Sequence, residues 1–406
     1  MRSSDVSRSA IPDASSSWPA SRVAVSGAFL ANGLVLGSWT PHIPVFASRL
    51  GLGETQLGIL IFVFGIGAVL AMPVVGAVMA RFGSKRITLT LHVLLSFALP
   101  LLILAPTPWL AAAAILFFGM TMGGMDVAMN SNAVSVERGL PRAMMSSCHG
   151  FWSVGGFLGA ALGGVLIARL GPVPHAVLVA IVMLALTVPI SRHLLEDRDP
   201  SAARDPSGAG GSAEGNVSLR NGAVLTAVAV GVCALLSMVP EGSTIDWSAI
   251  YLRDEVGANI ATSGFGFAAF SATMALCRFL GDGVRDRLGA VLTVRLSVVI
   301  GMAGLVLVAS AGSLPLALLG FAVMGVGLSN LAPVAFSAAG NIHGLRPGVA
   351  ISIATTIGYS GILVAPSAIG FFAEHFGFRP VFLGLCACLA VVALLAGVMR
   401  GADRSA

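Results

Sequence analysis

Charge is what this sequence has least of. Of 406 residues only 10% are Asp, Glu, Lys or Arg, and Lys85 is the single lysine. Soluble domains carry roughly 25% charge, so a water-dissolved globule is excluded. Cysteine is sparse: Cys148, Cys233, Cys277, Cys386 and Cys388 all lie in apolar segments. No pair occupies an exposed loop and no spacing fits zinc, which argues against a disulfide framework or a zinc module. The arginines are scattered singly, so a net charge of +5 does not describe a nucleic-acid surface. No Gly-x-x-x-x-Gly-Lys-Ser/Thr loop exists to cradle a nucleotide. Nor is there a nucleophile, metal or dinucleotide constellation, so neither enzyme activity nor a cofactor is expected. Residues 1–21 are polar and Ser-rich, without the apolar core of a removable signal, and the first span is expected to direct insertion.

What fills the chain instead is apolar: 56% hydrophobic residues, a mean hydropathy of +0.92, and 50 glycines. A membrane-spanning helix needs about 20 apolar residues. Twelve segments qualify, at roughly 23–47, 56–80, 87–105, 109–134, 144–168, 174–193, 222–250, 261–284, 291–310, 314–338, 347–373 and 379–399. Between the sixth and seventh lies "EDRDPSAARDPSGAGGSAEGNVSLRN", a charged Gly/Ser/Pro linker. The expected organisation is a tail (1–22), a six-helix bundle (23–193), a linker (194–221), a second bundle (222–399) and a tail (400–406). Eighteen basic residues fall in the loops on the side of both termini; Arg49, Arg169, Arg253 and Arg379 fall on the other. Basic loops stay inside, so both termini are expected in the cytoplasm, and Asn216-Val-Ser218 is discounted as a glycosylation site.

The halves repeat at an offset of 206 residues. It places Gly51 on Gly257, Gly58 on Gly264, Arg81 on Arg287, Gly83 on Gly289, Gly119 on Gly325 and Gly171 on Gly377. The expected fold is therefore all-α: twelve membrane helices in two six-helix bundles related by a parallel internal repeat. Such repeats build transporters that rock around a midplane site.

The turn "GAVMARFGSKR" (76–86) and its repeat partner "DGVRDRLGAVL" (282–292) resemble the Gly-x-x-x-Asp-Arg-x-Gly loop of the major facilitator superfamily. Ala80 departs from that pattern where Asp286 keeps it. The resemblance implies a cytoplasmic latch of Arg81, Arg86, Asp286 and Arg287. Asp126-x-x-x-Asn130, "MSSCHGFWSVGG" (145–156) and "EGSTIDWS" (241–248) are similar to the fucose-permease-like branch and the rhizopine-associated membrane protein group. That likeness implies a proton-coupling role for Asp126. The branch's second acid, in span one, is replaced here by Gly37.

A carboxylate at Asp126's depth costs several kcal/mol unless partnered, wetted or protonated. Around the turn near Gly139, spans four and five read as a hairpin that brings Asp126, Asn130, His149 and Trp152 into one cluster. Its plain alternative is a structural hydrogen-bond network. Proton-coupling candidates are Asp126, His149 and Glu241. Glu241 follows Pro240, which opens the backbone ladder, and broken polar helices are where transporters place sites. Substrate-binding candidates are Asn32, Asn130, Trp152, Asn330 and Tyr359. Ser38, His42, Thr355 and Thr356 are further cavity-lining positions. Asp246 and Trp247 read as an interfacial cap and anchor, and Arg278 as an i,i+4 partner of Asp282. Gly155, Gly159 and Gly163 form a small-residue packing stripe.

The function these features suggest is secondary active transport of a small polar solute, a sugar, polyol or related compound, across the inner membrane by alternating access. Protons are the expected coupling ion, lipid the surrounding partner, and a monomer the working unit. Proton-antiport efflux of an amphipathic compound and a non-transporting membrane receptor are the alternatives.

Overall fold

The computed structural model describes residues 18–140, 144–196, 221–342, 344–345 and 347–402. Most of the expected linker, with Asn216, lies outside the described residues.

Among the described residues twelve helical segments are long and apolar enough to cross a membrane. The first six are α1 (Ala20–Leu50), α2 (Glu54–Phe82), α3 with α4 (Ser84–Ser96 and Ala98–Leu104), α5 (Pro108–Glu137), α6 (Met145–Leu170) and α7 (Pro172–His193). The next six are α8 (Asn221–Asp254), α9 with α10 (Ile260–Ser263 and Phe265–Leu288), α11 (Ala290–Ser310), α12 with α13 (Leu314–Leu328 and Leu331–Gly340), α14 (Pro347–Phe376) and α15 (Phe378–Leu395). A 3₁₀ turn, Ala396–Ala402, follows.

The repeat is visible in the backbone. Gly51 and Gly257 have φ of 64° and 77°, Gly83 and Gly289 80° and 75°, Gly171 and Gly377 91° and 81°. An L side chain rarely adopts this conformation, so the shared offset marks three pairs of equivalent turns. Packing repeats as well. A Cβ on Gly119 would lie 1.9 Å from the Phe64 carbonyl oxygen, and one on Gly325 2.2 Å from that of Phe270, both pairs offset by 206. Only glycine lets these backbones touch, the usual route to tight helix contact in lipid.

The two halves meet with the same symmetry. Gly58 of α2 approaches Pro366 of α14, while Gly264 approaches Ala160 of α6; Gly370 approaches Glu54, while Gly164 approaches Ile260. Each contact is the 206-residue image of the other, a pseudo-two-fold seam. These contacts gather at the end of the molecule opposite the termini. There Glu374 accepts the Thr55 backbone N–H at 2.8 Å, and Arg253 donates to the Pro44 carbonyl at 2.8 Å and to Ser48 Oγ at 3.3 Å. The halves are closed at that end.

Two expectations need correction. Span seven is not broken at Pro240: α8 runs through it, and Ser243 and Thr244 donate their hydroxyls to the Pro240 carbonyl at 2.7 and 3.0 Å. Breaks occur instead in span three at Phe97, in span eight at Gly264 and in span ten, between α12 and α13, at Ser329 and Asn330. Trp247 is no interfacial anchor. It is fully buried, packed on Gly370 and tilted against Phe378 with ring centroids 5.6 Å apart. Asp246 beside it is no cap, because α8 continues for eight more residues.

Candidate functional site

The expected hairpin of α5 and α6 does not form a single polar cluster. Glycines choose the neighbours instead. Gly67 meets Leu116 and Gly119 meets Phe64, drawing α5 onto α2. Gly155 meets Leu30 and Gly159 meets Leu34, drawing α6 onto α1; Gly33 and Gly37 return the contact through Trp152 and Gly156. The Gly155–Gly159–Gly163 stripe is thus a packing surface. The four polar residues separate accordingly. Asn130 donates to Asp126 Oδ1 at 3.1 Å and to the Asp126 carbonyl at 2.8 Å, within one helix. Trp152 Nε1 donates to Asn32 Oδ1 at 2.9 Å, tying α6 to α1. His149 packs edge-on to Phe29 with ring centroids 5.2 Å apart. Among the described residues no hydrogen bond joins Asp126 or Asn130 to His149 or Trp152.

Glu241 has a partner that sequence reasoning missed. Its carboxylate is held by Arg278 of α10 at 3.3 Å, with side-chain exposures of 17% and 11%. That burial makes the charges interdependent, since a lone one would be costly. Arg278 also donates to Ser153 Oγ at 2.9 Å, across the seam to α6, and lies within Coulombic reach of His149. Ser271 of α10 donates to the Ser153 carbonyl at 2.8 Å. The expected partner Asp282 lies outside the described residues as far as its side chain goes. No local spacing signals a bond between residues 125 positions apart; only the seam between halves creates it.

The remaining candidates are dispersed. Asn330 is part-buried at the break in span ten. The side chains of Tyr359 and Asp286 lie outside the described residues. Arg81, Arg86 and Arg287 are exposed, and Arg81 sits 5.3 Å from the Phe82 ring centroid. His42, expected to line the cavity, is buried and bonded to His175 of α7, with 2.8 Å between Nε2 and Nδ1.

Two repeated six-helix bundles around a seam of buried polar pairs define a membrane transporter fold. The model of the Major Facilitator Superfamily matches residues 25–248 and 230–406, and the chain belongs to that superfamily. It is 36% identical over 349 residues to an uncharacterised MFS-type transporter of Yersinia pestis, covering 86% of this chain and 87% of that one. It is 31% identical over 375 residues to membrane protein MosC of Rhizobium meliloti, covering 91% and 88%. Among solved structures, the nucleoside transporter NupG aligns with a TM-score of 0.68 at 13% identity, covering 93% of this chain and 98% of that one. FucP in its outward conformation aligns with a TM-score of 0.60 at 15% identity, covering 94% and 98%. At such identities the likeness speaks to fold. The protein is a transporter of this superfamily, not an enzyme.

Proposed function

We propose that the protein moves a small polar solute, a sugar, polyol or related compound, across the inner membrane by alternating access, driven by protons. The observation that carries this reading is the Glu241–Arg278–Ser153 chain, which sets a buried ion pair on the seam between the halves. A transporter must break and remake seam contacts in each cycle, and ionisable groups inside a membrane default to function. The spans also carry Asp126 bonded to Asn130, and Asn32 bonded to Trp152 beside Ser153. Amides, carboxylates and an indole suit a solute with hydroxyls to bond and C–H faces to stack. Asp126, His149 and Glu241 are the groups proposed to take and release protons; Asn32, Asn130, Trp152, Asn330 and Tyr359 are proposed to contact solute.

On the basic-residue bias both termini are proposed to lie in the cytoplasm, which makes the closed end the outer one. The exposed basic turns, Arg81 with Arg86 and Arg287 with Asp286, are proposed to latch the cytoplasmic end when the cycle reverses. The 23–193 and 222–399 bundles are the proposed moving bodies, with the protein working as a monomer in lipid.

The test is uptake of radiolabelled sugars and polyols into proteoliposomes with and without an inward proton gradient. Accumulation that collapses with the gradient supports the reading. Gradient-driven expulsion of amphipathic dyes, with no sugar or polyol uptake, would replace it with efflux.

A further inference from the structure

We propose that Asp246 is a further proton carrier, held neutral in a narrow, largely apolar pocket between α8 and α14 while the halves are closed at the end opposite the termini. The inference rests on the proton-driven reading above and adds Asp246 to the groups named there.

Asp246 lines a cavity of about 20 Å³ with Met238, Val239, Ser243, Ala365, Pro366 and Ile369. That is room for one water molecule and no more. Among the described residues no donor or cation reaches its carboxylate. The nearby hydroxyls are already engaged, since Ser243 and Thr244 both donate to the Pro240 carbonyl. An ionised carboxylate without donors in an apolar setting is among the most costly groups to bury. A hard metal cation would need several oxygen ligands, and this lining offers few. A proton is the cation the site can hold.

The charged groups on the elements packed around α8 are engaged elsewhere. From α10, Arg278 holds Glu241; from α15, Arg379 holds Glu255 at 3.1 Å. From α14, Glu374 caps Thr55. The segments of α1 and α2 nearest the cavity bring Thr40 and Gly58, and Glu54, at the start of α2, lies with its backbone against Gly370.

Both walls of the cavity are propped by the other half. Thr40 of α1 donates to the carbonyl of Ile245, next to Asp246, at 3.5 Å. On the opposite wall, Ser367 donates to the Gly58 carbonyl at 3.0 Å, and Gly58 lies against the Pro366 carbonyl. Parting the halves at this end removes both props at once. The pocket then widens beyond its single water and Asp246 can exchange its proton freely; closing narrows it again. The proton and its charge move as one with the seam.

The full chain in liposomes is titrated from about pH 5 to about pH 8, the range where carriers at physiological pH must work, with infrared detection of the protonated carboxyl C=O stretch. Wild type, Asp246→Asn and Asp126→Asn are compared. Apolar dicyclohexylcarbodiimide, which reacts with protonated membrane carboxyls, is applied in parallel and its adduct located by mass spectrometry. The expected result is a C=O band lost in Asp246→Asn and kept in Asp126→Asn, with an adduct on Asp246. Asp246→Glu, which should shift the band and not abolish it, serves if the Asn variant does not fold. No Asp246-dependent band and no adduct would overturn the proposal. If proton-driven uptake is nevertheless present, the transport reading stands without it. An Asp246 band in a protein lacking any proton-driven uptake would support the protonated site and overturn its role as a carrier.

Discussion

Arg278 reaches the Ser153 hydroxyl at 2.9 Å across the seam between the halves while its other terminal nitrogen holds Glu241 at 3.3 Å. One guanidinium thus serves an ion pair inside the second half and a contact to the first. Arg278→Ala would strand the part-buried Glu241 carboxylate without its partner, a loss of at most about 3–5 kcal/mol that should lower Tm. Glu241→Gln combined with Arg278→Met removes both charges and should recover most of that loss. Ser153→Ala removes one charge-assisted bond, worth about 1.5–3 kcal/mol at most. Thermal unfolding in detergent of these three variants and of the single variants Glu241→Gln and Arg278→Met checks this; a double variant whose loss equals the sum of its parts would show that the pair is not coupled.

The glycine contacts give a sharper contrast. Gly119 has the Phe64 carbonyl oxygen 1.9 Å from where a Cβ would sit, whereas Gly76 has nothing within 4 Å. Backbone cannot yield as a flexible side chain does, so Gly119→Ala must push α5 off α2. The expected cost is at the upper end of the roughly 1–3 kcal/mol typical of overpacking, or beyond it. Gly76→Ala, in a helix with open space, should be neutral or gain up to about 1 kcal/mol. Equal Tm values for the two variants would contradict the packing described. The repeat predicts that Gly325→Ala behaves like Gly119→Ala.

These glycines also explain how far the sequence could be read. The twelve spans were legible because length and hydropathy alone decide them, and the repeat because Gly51, Gly83 and Gly171 recur at one offset with the positive φ that glycine tolerates. Which helices embrace was not legible. Chain proximity around Gly139 suggested α5 on α6, yet Gly119 and Gly155 send those helices to α2 and α1. The polar partners followed the packing: Asp126 kept only its own helix neighbour Asn130, and Trp152 turned to Asn32. Arg278 found Ser153 because α10 meets α6 at the seam, and no motif encodes that meeting. Trp247 looked interfacial beside Asp246, but α8 extends to Asp254 and carries the indole into the second half's core.

The two basic turns differ in one residue. Arg81 and Arg287 are repeat-equivalent and both exposed, but Asp286 precedes Arg287 where Ala80 precedes Arg81. If these turns latch the cytoplasmic end, the turn that retains its acid should latch more strongly. Arg287→Ala is expected to slow cycling several-fold more than Arg81→Ala, at equal expression. The measurement is the rate at which a cysteine placed at the closed end of the seam, such as Thr55→Cys, becomes reactive to a membrane-impermeant maleimide. Identical rates in the two variants would remove the asymmetry.

Asp126 and Asn130 form a pair in which a neutral amide is the carboxyl's bonded partner. An amide donor satisfies one oxygen of the carboxyl whether or not the group carries a proton, so this pair tolerates both states as an ion pair would not. Asp126→Asn keeps size and most hydrogen bonding but fixes the group as uncharged. A coupling carboxyl then predicts a split outcome once a solute has been identified: proton-driven accumulation is lost, while counterflow exchange, which needs no net proton movement, survives. A structural Asp126 predicts joint behaviour, both activities normal in a nearly isosteric variant or both lost in an unstable one. Accumulation and counterflow measured in the same proteoliposomes, from about pH 5 to about pH 8, separate the two. In the coupled case wild-type accumulation falls as pH rises and the carboxyl spends less of the cycle protonated, whereas Asp126→Asn exchange stays flat with pH. Activities that rise and fall together make Asp126 scaffold, and the same comparison then passes to His149→Gln, whose ring already sits within reach of the Arg278 charge.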